Sequence, residues 1–158
     1  MQKLTVIIGF PGSGKSKLAS KIANNDPNTI VVNKDAIRSM FRAGKYVFAA
    51  GYEDLVRQVA QKTTIRALME GFDVVVDETH LTPEKRDVQF IKSRLRQIIR
   101  VEYVWIDECD IEVLLERRMA DARGYSKDHW REVIESMIED FVPPDQYKEN
   151  VDSIVVKR

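Results

Sequence analysis

Gly9-Phe10-Pro11-Gly12-Ser13-Gly14-Lys15-Ser16 satisfies G-x-x-x-x-G-K-[ST] at every fixed position. Glycines at this spacing let successive backbone N–H groups turn inward around an anion. A helix starting beneath them adds the positive end of its dipole. Gly9, Pro11, Gly12, Ser13, Gly14, Lys15, Ser16 and Lys17 are therefore expected to bind a nucleotide, with Lys15 reaching the β- and γ-phosphates. Ser16 offers its hydroxyl to Mg²⁺. The expected ligand is ATP or another nucleoside triphosphate with magnesium, and the motif leaves the reaction open.

Two acidic strand ends bear on that reaction. Asn33-Lys34-Asp35-Ala36-Ile37-Arg38 follows an apolar run, and ligands of open parallel sheets bind outside the carboxyl ends of strands. Asp35 there can accept the proton of an attacking hydroxyl. Arg38, three residues on, shares its helical face and can fork onto a phosphate or carboxylate. Asp77-Glu78-Thr79-His80-Leu81-Thr82-Pro83 follows another apolar run. Asp77 is the expected Mg²⁺-site acid, with Glu78 as its rival in register. His80 carries no assignment. Arg117, Arg118 and Arg123 flank a break at Gly124. Arg123 has the place of a lid arginine that closes over charge developing on a transferred phosphoryl group, and Arg118 reads equally well as a solvated cation. Arg86, near a helix start on the carboxyl side of the sheet, is within expected reach of a ligand.

The elements that must position these groups are legible as alternation. Leu4–Ile8, Ile30–Val32, Val74–Val76, Val101–Ile106 and Ile154–Val156 are Val/Ile-rich runs, most without polar alternation. Such runs suit strands buried on both faces of a parallel sheet. Helical period occupies Lys15–Ala23, Tyr52–Glu70, Pro83–Ile99, Ile111–Met119 and His129–Phe141, with Thr82 and Pro83 as cap and first residue of the third. The expected fold is α/β: a central parallel sheet of about five strands with helices on both faces. Arg42–Gly51, Ala120–Lys127 and Phe141–Tyr147 read as loops.

Length and charge bound the rest. The 158 residues fit one domain. Lys+Arg and Asp+Glu number 25 each, which argues against a protein that coats nucleic acid along its length. Cys109 is the single cysteine, so a reducing compartment, the cytoplasm, is expected. No run reaches the roughly 18 apolar residues of a membrane helix. Asn33-Lys34-Asp35-Ala36 lacks the final acid of a guanine-reading N-K-x-D, and Asp121-Ala122-Arg123-Gly124 does not follow a strand.

With GFPGSGKS at Gly9–Ser16, NKDAIR at Asn33–Arg38, DETHLTPEKR at Asp77–Arg86 and a lid ending Ala122-Arg123-Gly124, most of the chain resembles one family. It is similar to the 5′-kinase domain of phage polynucleotide kinase and related small P-loop kinases. The resemblance implies a single three-layer P-loop kinase domain over residues 1–158, with a small lid at about 117–127. It implies transfer of ATP's γ-phosphate to 5′-hydroxyl ends of DNA or RNA in nucleic-acid end repair, in the host cytoplasm if phage-encoded. Lys15 and Ser16 would hold phosphates and metal, and Asp35 would be the general base. Arg38 would grip the phosphate 3′ of the acceptor nucleotide, with lesser help from Lys34, Arg42 and Arg86. Arg123 would act on the donor phosphates and Arg117 would lie against the adenine. The chain departs from the family at Ala36, where a second acid is frequent, and at His80, where Asn is common. The interval from Arg117 to Arg123 is also longer. Tyr46 or Phe48 offers a ring for base stacking. A small-metabolite kinase (nucleoside, sugar or antibiotic) is the second reading, and a non-enzymatic nucleotide switch, which needs no acceptor base, is the third.

Overall fold

The computed structural model describes residues 1–158. The five apolar runs become β1 (Lys3–Ile8), β2 (Thr29–Asn33), β3 (Asp73–Asp77), β4 (Arg100–Ile106) and β5 (Ser153–Lys157). They form one sheet in the order β2-β3-β1-β4-β5, all pairs parallel. The helices are α1 (Lys15–Asn25), α2 (Lys34–Phe41), α3 (Ala50–Met69), α4 (Pro83–Arg86), α5 (Val88–Arg94), α6 (Ile111–Met119) and α7 (Lys127–Asp140).

Alternation along β1 assigns the layers. Leu4, Val6 and Ile8 point into the larger core with Ala60, Ala67 and Leu68 of α3 and Ile91 of α5. Ile7 joins Ala19 of α1 and Val75 of β3 on the opposite face. Both sheet faces are covered, as continuous apolar strands require. A third cluster lies beyond the strand ends, where Phe10 and Leu81 meet Leu114 and Leu115 of α6 and Trp130 and Ile134 of α7. This cluster anchors the α6–α7 hairpin next to the phosphate-loop motif. No helix is long and apolar enough to cross a membrane.

Several expectations need correction. The helix expected over Pro83–Ile99 is broken at Asp87 and ends at Arg94. Asp87 adopts left-handed backbone (φ 55°), and its carboxylate accepts a 2.9 Å bond from Gln61 on α3. Leu95 turns extended. Thr82 makes no side-chain cap bond. In addition, α3 begins at Ala50, inside the stretch expected to be loop.

Another correction concerns Arg86. Its side chain is fully buried and pairs with Glu149 at 2.6 Å. Nε donates to the His80 carbonyl at 3.1 Å, and Nη2 donates to that of Val142. The second Glu149 oxygen accepts from Tyr103 Oη at 2.9 Å. Arg86 is thus a buried strut joining β4, α4 and the loop before β5, and it has no access to an acceptor. Removing one partner of such a pair strands a buried charge, which typically costs about 3–5 kcal/mol. Arg86→Ala should lower stability in denaturant unfolding by that order, while any activity of the remaining folded protein keeps its KM for acceptor.

His80 is also buried, in left-handed backbone (φ 51°). Its Nδ1 donates to the Ile7 carbonyl at 2.6 Å, since a carbonyl only accepts. Burial pushes the imidazole pKa down to about 4. Below about pH 6.5 the unfolded chain binds a proton here that the folded chain refuses until about pH 4. This ring should therefore remove about 3 kcal/mol of stability as pH falls from 6.5 to 4. Urea unfolding in that window should show the loss, and His80→Asn, which suits left-handed backbone, should flatten the slope.

Candidate active site

The sheet register lines up the chemistry. Ile7 pairs with Asp77, and Asp77 with Asn33, so three strands end in one row. The phosphate-loop motif follows β1, Lys34 and Asp35 follow β2, and Glu78 and Thr79 follow β3. Gly9 N–H donates to the Thr79 carbonyl at 3.1 Å, tying two of these ends together. The row opens into a cleft of about 470 Å³.

The loop from Gly9 to Ser16 wraps one side. Gly12 (φ 80°) and Gly14 (φ 95°) sit in left-handed backbone. A Cβ on Gly12 would stand 2.3 Å from the Leu114 carbonyl oxygen of α6, whereas one on Gly14 would meet nothing within 4 Å. The two glycines thus serve different ends: Gly14 permits the turn into α1, and Gly12 also permits close packing of the loop on α6. Lys15 folds over the loop and donates to the Phe10 carbonyl at 2.7 Å. Burial lowers its pKa to about 8, with Asp77 and Asp35 opposing the shift. A lysine so desolvated is primed for an anionic partner.

Across the cleft, Asn33 organises the acidic side. Its Oδ1 accepts from Ala36 N–H at 2.8 Å and caps α2. Its Nδ2 donates to the Asp77 carboxylate at 2.8 Å and to the Asp77 carbonyl at 3.2 Å. Asp35 lies in the first turn of α2, with Oδ1 2.7 Å from Arg38 Nη1 and Oδ2 2.7 Å from Arg123 Nη1. Arg38 is in turn held by Glu53 of α3, through Nε at 2.8 Å and Nη2 at 2.6 Å. Lys34 pairs with Glu78 at 2.7 Å. Burial lifts the Glu78 pKa to about 7 against the pull of Lys34.

Arg123 arrives on the turn between α6 and α7, where it (φ 53°) and Gly124 (φ 81°) are both left-handed. Its guanidinium lies 4.2 Å from the Tyr46 ring centroid. This turn reaches over the cleft from the hairpin anchored by Leu114, Leu115 and Trp130.

Of the residues expected from sequence, the cleft is lined by Pro11, Gly12, Gly14, Lys15, Ser16, Lys17, Lys34, Asp35, Arg38, Asp77, Arg117 and Arg123. Gly9 and Ser13 belong to the same loop without lining the cavity. Arg42 is turned away, its guanidinium 5.6 Å from the Tyr52 ring centroid, and Arg86 is buried elsewhere. Sequence reasoning missed Trp130, Thr79 and Met137 as lining residues and left Arg118 undecided. Arg118 stacks 4.1 Å from the Trp130 ring centroid, and its Nε and Nη2 are buried without partners. Arg117 is half-exposed and only 3.9 Å from Glu108. The doublet Arg117-Arg118 was the only signal in the sequence, and helical phase alone decides which member is enclosed.

The donor set suits magnesium. Ser16 and Asp77 both line the cleft and offer only hard oxygen ligands. No group of three or more His, Cys, Asp or Glu side chains gathers in the structure.

Gly12→Ala should cost more than Gly14→Ala. The second adds backbone strain of about 1–3 kcal/mol, while the first also drives a methyl group into the Leu114 carbonyl. Thermal melts and nucleotide titrations on both variants should rank them in that order.

Comparison with known proteins agrees with this architecture. The family described as an AAA domain matches residues 4–144. A mevalonate-3-phosphate 5-kinase of Thermoplasma acidophilum is 24% identical over 149 residues, covering 78% of this chain and 70% of its own. A chain of the Pnkp1/Rnl/Hen1 RNA repair complex superposes with a TM-score of 0.70 at 24% identity, over 96% of this chain and 46% of that one. This chain therefore spans less than half the length of that relative. A fungal RNA kinase superposes with a TM-score of 0.67 at 15% identity, over 99% of this chain and 74% of its own. With the family match running from β1 past α7 and the parallel sheet closing over a phosphate loop, the chain belongs to the AAA domain family and has the P-loop kinase fold.

Proposed function

We propose that the protein is an ATP-dependent kinase that transfers the γ-phosphate to a 5′-hydroxyl end of DNA or RNA. The observation that carries this reading is Asp35, which faces the phosphate loop across one cleft between Arg38 and Arg123. A nucleotide switch has no use for a carboxylate held there. A kinase uses it to orient the attacking hydroxyl and take its proton.

The residues divide the work. The loop N–H groups and Lys15 hold the donor phosphates. Ser16 and Asp77 would hold Mg²⁺, which when bound neutralises charge between the β- and γ-phosphates. Both Asp35 oxygens are occupied by guanidinium groups in this structure, and donor phosphates compete for Arg123. Drawing Arg123 onto the phosphates releases Asp35 Oδ2. That oxygen then accepts the acceptor's proton as the acceptor oxygen bonds to the γ-phosphorus and the bond to the ADP oxygen breaks. Arg118, half-buried on Trp130 with Nε and Nη2 lacking hydrogen-bond partners, supplies further positive charge to the donor side. The RNA-directed names of two structural neighbours support a polynucleotide acceptor.

A small-metabolite acceptor is the second reading, and one observation favours it. Glu53 takes two of the donors with which Arg38 would fork onto an acceptor phosphate. The mevalonate-phosphate relative is consistent with it.

Labelled ATP offered with a 5′-hydroxyl oligonucleotide, beside nucleosides, sugars and phosphorylated small alcohols, separates the two. Preferential labelling of the oligonucleotide supports the proposal, and labelling confined to the small panel replaces it with the second reading. Asp35→Asn, which frees Arg123 for the donor phosphates, should bind ATP at least as tightly and lower kcat by about 10²–10⁴-fold. An unchanged kcat would remove Asp35 as the base.

A further inference from the structure

The two rings offered to the cleft by the segment between α2 and α3 are in different situations. Tyr46 has the Arg123 guanidinium 4.2 Å from its ring centroid. Its face is occupied, and it steadies the turn that carries Arg123. Phe48 also lines the cleft, yet it remains 56% exposed. Its one aromatic-face partner is Arg38, whose Cζ lies 5.3 Å from its centroid. Leaving a phenylalanine this open forgoes the burial that normally justifies its apolar surface. The location carries the argument, because an isolated exposed ring elsewhere on the surface would need no explanation.

Arg38 connects the ring to the chemistry. The same guanidinium touches the Asp35 carboxylate at 2.7 Å through Nη1. Phe48 therefore stands one guanidinium away from the group assigned to the attacking hydroxyl. In a nucleotide, one sugar separates the 5′-oxygen from a planar base. A 5′-hydroxyl on Asp35 can therefore place its own base on the Phe48 side of Arg38, within the same cleft. An acceptor such as a sugar acid or a phosphorylated branched alcohol has no planar group to place there.

We propose that Phe48 is the stacking platform for the nucleobase next to the reacting hydroxyl. This makes the acceptor a base-bearing 5′-hydroxyl, selected by its ring and not by its sequence. The inference rests on the reading of the acceptor given above and narrows it. Every base has a π-face, so stacking tolerates any base at the end. With two Arg38 donors held by Glu53, the ring supplies acceptor affinity that the arginine's partly occupied fork does not.

The test uses the full chain and two oligonucleotides that differ only at the 5′-terminal residue, one with a base and one with a stable abasic sugar. Both carry a 5′-hydroxyl. Wild-type protein should show KM about tenfold higher for the abasic end with kcat little changed, since stacking contributes at that scale. Phe48→Ala should raise KM for the base-bearing end to the abasic value and leave the abasic KM where it was. Phe48→Trp should restore discrimination. The wild-type comparison does not depend on any variant folding. Equal wild-type KM for the two ends, or a Phe48→Ala loss of equal size on both, overturns the proposal while leaving the polynucleotide kinase reading in place. Absence of any labelling of the base-bearing oligonucleotide overturns that reading, and the proposal with it.

Discussion

Everything chemical in this protein depends on a row of residues in parallel register, Asn33, Asp77 and Ile7 on three adjacent strands. Parallel strands all end on the same side, so the loops that follow them must share one edge. The backbone there is free of ladder partners and can turn toward a ligand. The order β2-β3-β1-β4-β5 places β1 inside the sheet. The loop after it becomes a phosphate cradle with an acidic strand end on one flank. Asn33 makes the row rigid, because a single side chain caps α2 and grips Asp77. The start of α2 and the Asp77 strand end are therefore tied together.

A second constraint acts from beyond the sheet. The hairpin of α6 and α7 has its own small core, and that core reaches the cradle through Gly12, whose missing side chain lets the Leu114 carbonyl approach. The hairpin carries Arg117, Arg118 and Arg123 to the cleft on a foundation partly separate from the main core. Charge then links the halves. Arg123 reaches Asp35 across the cleft while Arg38 holds the same carboxylate from its own helix. The zero formal net charge is thus compatible with a strongly polarised cleft, where cations of the hairpin and loop face Asp35 of α2 and Asp77 of β3.

Legibility from sequence tracked the range of the interaction. The phosphate loop was readable because its fold is a local backbone matter, written in glycines a few residues apart. Asp77 was readable because it directly ends an apolar run, and Asp35 because it follows Val32, the last residue of another, by three positions. Arg86 was misread because its partner, Glu149, lies 63 residues away, and nothing near position 86 announces that a buried carboxylate waits for it. The helix across Asp87 failed for a related reason. A contact from Gln61 holds the left-handed kink, and periodicity carries no record of it. Arg118 was undecidable beside Arg117 until the rotation of α6 against Trp130 was known.

The amino-acid sequence by itself determined the strand-and-helix alternation, the phosphate cradle and the acids at the strand ends, since each follows from spacing or apolarity within a few residues. Tertiary structure decided which cations face the cleft, which are buried as struts, and which aromatic ring stays open beside Asp35. Those outcomes depend on desolvation and on partners distant in the chain. A charged side chain has the same composition in either role, and only packing determines whether it meets water, a ligand or another residue.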